Sequence, residues 1–143
     1  MSDLIVALML WASAVTGLPV ATMLPEVAME TSDALYARIH GEAPSARAAA
    51  SEVLAVYDIG ERTVRLREGW DRDNIVHVSI LLHELVHHMQ EASGTKYACR
   101  GELEAVAYDA QNRYLAEHGI EMGPALGLDP LFRAVVTSCP WGF

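Results

Sequence analysis

Ile75-Val76-His77-Val78-Ser79-Ile80-Leu81-Leu82-His83-Glu84-Leu85-Val86-His87-His88-Met89 carries apolar residues on nearly every side of a helix, with Val78, Leu82, Leu85 and Met89 in one continuous stripe. A helix that is apolar all round is a buried helix, so the remaining elements are expected to pack around this one. Asp73 or Asn74 reads as its N-cap, and Ser93-Gly94 breaks the pattern. His83 and His87 lie four residues apart, on the same side and one turn above each other. Buried polar side chains without partners cost roughly 2–7 kcal/mol each. One metal ion removes that cost by taking both imidazoles, at about 2.0–2.1 Å if it is zinc. Glu84 sits about 100° round the helix from His83, where a carboxylate can accept a proton from a water on that ion. This is how an H-E-x-x-H helix supports hydrolysis. The competing reading, an amphipathic helix with two surface histidines, fits poorly with so apolar a surround.

Upstream, Val53-Leu54-Ala55-Val56-Tyr57 and Thr63-Val64-Arg65-Leu66-Arg67 flank Asp58-Ile59-Gly60-Glu61-Arg62, two short strands joined by a Gly-containing loop. In the second run Val64 and Leu66 alternate with Arg65 and Arg67, so one face packs and the other meets water. Two strands alone are marginal; the hairpin must pack on the histidine helix, with room for a third strand from the N-terminal half. Leu24-Pro25 to Met29 reads as a connection or a short strand. Ser32 caps a short helix from Asp33 to His40 that Gly41 closes, and Glu42 to Ala50 reads as a loop leading into a weak helix or nothing regular. After the histidine helix, Cys99-Arg100-Gly101 leads into a second long helix, Glu102 to His118, with Leu103, Val106, Ala107, Ala110 and Tyr114 as its buried stripe. Asp129-Pro130 opens a last helix through Val136, its Pro at the first helical position. The expected class is α+β, a small antiparallel or mixed sheet (hairpin 53–57/63–67) on two central helices with flanking N- and C-terminal helices.

At 143 residues the chain is expected to be a single domain, 1–143, large enough to bury about two-thirds of its unfolded surface. A formal charge of −9, with Lys96 the only lysine, argues against a nucleic-acid partner. The apolar run Leu4 to Leu18 resembles a signal peptide, yet no Lys or Arg precedes Arg38 and Asp3 stands where a positive region belongs. It is also short for a bilayer, so no transmembrane span is expected. Gly17-Leu18-Pro19 then reads as the stop of a mature first helix. Without an export signal the cytoplasm is the expected compartment. Cys99 and Cys139 point the other way if they form a disulfide, which belongs in an oxidising compartment; the alternative is two reduced, buried thiols.

Two histidines leave a zinc underligated, since a catalytic site wants three protein ligands and an open position. Glu91, Glu102, Glu104, Asp109 and His118 are the downstream candidates. On the second helix Glu104 lies with Tyr108, Gln111 and Leu115 along the edge of the apolar stripe, whereas Glu102 lies with Asp109 and Arg113 on the polar face. Glu104 is therefore the expected third ligand. Tyr108, one turn from Glu104, is either packed or a hydrogen-bond donor to a ligand, and Gln111 is open to the same two readings. His88 is expected to be a supporting or surface histidine, His77 a neighbour of the site at most, and His118 an exposed helix-end histidine.

His83-Glu84-Leu85-Val86-His87 followed by Glu104-Ala105-Val106-Ala107 resembles the gluzincin metallopeptidases, where a Glu-x-x-Ala/Ser segment supplies the third ligand. The small size and the hairpin before the metal helix resemble their compact minigluzincin form. Leu8-Met9-Leu10-Trp11, Val56-Tyr57-Asp58, His83 to Gln90, and Cys99 followed by Ala107-Tyr108-Asp109-Ala110-Gln111 are similar to an uncharacterised bacterial family of small HExxH proteins, over most of the chain. The resemblance implies a zinc metalloendopeptidase with His83, His87 and Glu104 as ligands, Glu84 as base and a peptide or protein as substrate. In one respect the chain departs from it. Gluzincins often carry an Asp four residues after the ligand Glu to orient a zinc histidine, and here that position is Tyr108; the orienting group is then Asp109, another group, or absent. A binding or regulatory module stapled by zinc is the alternative function. For the enzyme, the edge of Thr63–Arg67 is the expected docking strand for an extended peptide.

Overall fold

The computed structural model describes residues 1–41 and 54–140. In chain order they form α1 (Ser2–Thr16), β1 (Glu26–Glu30), α2 (Ser32–His40), β2 (Ala55–Asp58), β3 (Thr63–Arg67), α3 (Ile75–Ser93), α4 (Arg100–Glu117), α5 (Met122–Leu126) and α6 (Pro130–Val136). The architecture is α+β, with a three-stranded mixed sheet in the order β1-β3-β2. The expected loop at Glu42–Ala50, and Val53 at the head of the hairpin, fall outside the described residues.

α3 is the centre. Its N-cap is Asn74, whose side chain accepts from the backbone N–H of Val76 and His77, and Gly94 in the left-handed conformation ends it. Val78, Leu81, Leu82, Leu85, Val86 and Met89 are fully or almost fully buried. They meet Ile5, Leu8, Met9 and Ala12 of α1, Val64 and Leu66 of β3, and Ala107 and Ala110 of α4 in one core. α1 is thus a core element of the fold, ended by left-handed Gly17. Among the described residues no helix is long and apolar enough to cross a membrane.

β2 and β3 pair antiparallel, with Tyr57 opposite Val64. β1 supplies the third strand and runs parallel to β3, with Val27 opposite Val64. A parallel pair needs a crossover, and α2 lies on it, packed against β2 and β3. This topology corrects the expected docking strand: β3 is the central strand, bonded on both sides, so its edge is not free. On the same strand Arg65 makes guanidinium contacts to Glu30 (2.9 Å) and Asp58 (3.2 Å).

Some boundaries move. Thr31, not Ser32, caps α2, its hydroxyl accepting from the Ala34 N–H. α4 starts at Arg100 with Cys99 as N-cap, two residues before the expected start. Its deepest residues are Ala107, Ala110, Gln111 and Leu115, while Leu103, Val106 and Tyr114 are half-buried. The helix is turned so that the edge carrying Gln111 faces α3. α5 has no counterpart in the sequence reading; five residues containing Gly123 and Pro124 show no periodicity, yet Met122 is buried. α6 begins as expected, with Asp129 accepting from the Leu131 N–H and Pro130 at its start.

Candidate metal centre

α3 and α4 are the most extensively packed pair of helices, and their facing sides bring His83, His87 and Glu104 together. One ligand atom from each lies within 4.8 Å of the others. Nε2 of His83 is 3.0 Å from Oε2 of Glu104, and Nε2 of His87 is 3.2 Å from Oε1 of the same carboxylate. These residues fit a cation. Two imidazoles and one carboxylate are a familiar three-ligand set for a divalent metal, and Nε2 of His87 is buried without a hydrogen-bond partner. A buried nitrogen left unsatisfied is costly, and an ion at the shared focus would satisfy it.

The electrostatics agree. Burial works against an ionised Glu104, but close contact with His83 and His87 and their charge outweigh it and hold the carboxyl far below the usual carboxylate range. Burial likewise opposes a charged His87, and contact with Glu104, then the charge of Glu84, raises its pKa regardless. Both directions describe a cluster that attracts positive charge. Glu84 behaves oppositely: burial pushes its carboxyl up, the nearby imidazoles pull it down, the Glu104 charge raises it, and a hydrogen bond from the Tyr57 backbone N–H lowers it.

Behind the imidazoles stand two buried glutamines. Nδ1 of His83 lies 2.9 Å from Oε1 of Gln111, whose Nε2 donates to Ser79 Oγ at 3.1 Å. Nδ1 of His87 lies 2.8 Å from Oε1 of Gln90, whose Nε2 donates to the Leu103 carbonyl at 3.1 Å. Gln111 was among the expected supporting residues. Gln90 was missed; its one signal is a position three residues after His87.

Tyr108 packs its ring edge-on against His83, centroids 4.5 Å apart, and burial, then the charges of Glu104 and Glu84, raise its phenol. Asp109 is not part of the site: it is exposed on the far side of α4 and pairs with Arg133 at 3.2 Å. Glu102 is exposed and accepts from the Ala98 N–H at 2.8 Å. Glu91 contacts Arg62 at 3.6 Å, and exposed His118 donates from Nδ1 to the Tyr114 carbonyl at 2.9 Å. His77 serves the start of α3, accepting at Nδ1 from the Asp71 N–H. His88 is neither a surface histidine nor a supporting one; it is buried and bridges Tyr57 Oη and the Met23 carbonyl, both at 2.8 Å. Cys99 and Cys139 form a disulfide, Cα atoms 5.7 Å apart. Cavities of about 380 and 320 Å³ lie at α5 and α6, and neither is lined by a residue of the His83 cluster.

No curated protein and no solved structure matches the chain. Residues 1–126, which hold every residue of the candidate metal centre, match the family model described as a domain of unknown function, DUF6647, and the chain belongs to that family.

Proposed function

We propose that the protein is a zinc-dependent metallopeptidase cleaving peptide bonds of a peptide or protein substrate. The observation that carries this reading is the convergence of His83, His87 and Glu104 on one focus with the Glu84 carboxyl beside it. Zinc bound there would polarise the scissile carbonyl and acidify a water. Glu84 takes a proton from the attacking water and returns it to the leaving amine. A carboxyl raised by burial suits both halves of that transfer.

An extended peptide has an edge to add to on β2 rather than β3. The Arg67 N–H donates to the Leu54 carbonyl at 2.9 Å, so bonded and non-bonded pairs alternate from there along the hairpin. Ala55 and Tyr57 therefore turn their N–H and C=O groups outward, on an edge unpaired by any strand among the described residues. β2 packs against α3, the helix that carries His83, Glu84 and His87, which supports a β2 edge beside the site, as strand-addition recognition requires. The Cys99–Cys139 disulfide supports work in an oxidising compartment.

The test is metal content and cleavage of casein or a peptide library by wild type, His83→Ala and Glu84→Gln. Wild type is expected to carry one zinc, His83→Ala to lose it, and Glu84→Gln to keep it while slowing cleavage by about 10²–10⁴-fold. Wild type without stoichiometric metal removes the basis of the reading, and Glu84→Gln at full speed removes Glu84 as the base. A zinc-stapled binding module is favoured by one observation: the His83 and Glu104 side chains are only 9% and 15% exposed, which leaves a substrate carbonyl little access. Metal in wild type with no cleavage of any substrate would select that module.

A further inference from the structure

Each glutamine behind the metal centre has both ends of its amide in use. Gln90 donates from Nε2 to the Leu103 carbonyl, a group that can only accept. Its Oε1 must then face His87, and because that oxygen also only accepts, Nδ1 of His87 must carry the proton. The chain at His83 is one link longer. Ser79 Oγ donates to the Val76 carbonyl at 2.7 Å, so it accepts from Gln111 Nε2, and Gln111 Oε1 receives the proton on Nδ1 of His83. Both chains end on backbone carbonyls. Reversing either would set acceptor against acceptor in a buried place, at about 1–3 kcal/mol for each unsatisfied group. A neutral imidazole protonated at Nδ1 has its lone pair at Nε2. At this site both lone pairs would face the Glu104 carboxylate, at 3.0 and 3.2 Å, an arrangement of acceptors that only a cation between them can satisfy.

We infer that Gln90 and Gln111 are positioning residues that hold His87 and His83 as Nδ1–H tautomers, so that each presents a bare Nε2 to a cation at Glu104. The inference rests on the metal-binding part of the proposed function and not on peptide cleavage. Both groups are neutral amides, where a carboxylate often orients a ligand histidine. They fix the rings without adding negative charge, which leaves Glu84 and Glu104 as the site's carboxylates.

The tautomers can be read directly from long-range ¹H–¹⁵N spectra of the full chain, recorded above the histidine titration range, before and after zinc is added. Wild type is expected to show His83 and His87 protonated at Nδ1 once zinc is bound. Gln90→Met and Gln111→Met remove the acceptors and should lower zinc affinity by about 10–100-fold in chelator competition. Gln111→Glu keeps an acceptor, and the Ser79 hydroxyl can turn to donate to it, so affinity should return to within about three-fold of wild type. Nε2–H tautomers in zinc-loaded wild type would overturn the inference, as would folded Met variants that bind zinc as tightly as wild type. If the Met variants do not fold, the wild-type spectrum decides alone. A protein with locked tautomers and bound zinc that cleaves nothing overturns the peptidase reading and leaves this one standing; one that cleaves with Nε2–H histidines does the reverse.

Discussion

Glu102 and Glu104 are two residues apart on α4 and have opposite fates, which makes them a sensitive test of the site. Glu104 faces both imidazoles, while Glu102 points outward and accepts from the Ala98 N–H at the start of the helix. Glu104→Ala should lower zinc affinity by orders of magnitude. It should also remove the stabilisation that bound metal gives by mass action, about 2.7 kcal/mol at a free concentration 100 times Kd. Glu102→Ala should cost about 0.5–1 kcal/mol, as loss of a cap does, and leave zinc in place. Metal analysis and thermal melts with and without chelator read both outcomes, and zinc loss in Glu102→Ala alone would sink the assignment. That the two glutamates part company was legible from the 100° step of the helix, because Glu104 shares an edge with Gln111 and Leu115. Gln90 was not legible. Its partner is the Leu103 carbonyl on another helix, and no spacing within α3 reveals a contact made only when α3 and α4 pack.

At the scale of elements, the sheet is tied to α2 by charge as well as by the buried Leu35. Glu30 at the end of β1 accepts from Arg38 of α2 (2.7 Å) and Arg65 of β3 (2.9 Å), with its side chain 13% exposed. The Arg38 hydrogen bond is the largest influence on its carboxyl. Against the opposing effect of burial, it and the charges of Arg38 and Arg65 lower the pKa from the ordinary 4.5. A depressed carboxylate stabilises the fold fully above its unfolded value and loses that contribution as pH falls through its folded one. Glu30→Gln should therefore lower stability by about 1.5–3 kcal/mol at neutral pH, with the difference shrinking as pH drops below 4.5. Urea midpoints across pH would show it, and a pH-independent difference would remove the ion network as its cause. The hairpin was legible because turn residues and the Val64/Leu66 alternation are local signals. β1 read only as a connection or a strand, since its partner β3 lies more than thirty residues away and the strand carries a glutamate at each end. The same distance concealed that β3 would be the central strand.

At the scale of the whole molecule, the last stretch of chain is clasped to the start of the helix that carries Glu104. Cys139 is bonded to Cys99, the N-cap of α4. Arg133 reaches Asp109, and the Ser138 backbone lies so close to Gly101 that any Cβ there would collide with its carbonyl. Gly101→Ala should consequently cost about 1–3 kcal/mol by overpacking, measurable as a lower urea midpoint. The cysteine spacing was legible as one of two alternatives, a disulfide or two thiols; the close approach at Gly101 was not, because it depends on where α6 returns. The family match ends at residue 126, so α6 and Cys139 lie beyond it while every residue of the candidate metal centre lies within it. That division suggests a separation of tasks. Closing a loop with a sequence separation of 40 residues constrains the unfolded chain by about 3–4 kcal/mol. Glu104, by contrast, is placed by α4 packing on α3, with α1 holding the far end of α4 through Trp11, which donates to Glu117 at 3.0 Å and stacks edge-on with Tyr114. A Cys99→Ser/Cys139→Ser double variant should lower the urea midpoint by an amount worth about 3–4 kcal/mol, yet bind zinc with wild-type stoichiometry below its transition. If the folded double variant loses its zinc, the clasp itself positions Glu104, and the two tasks are one.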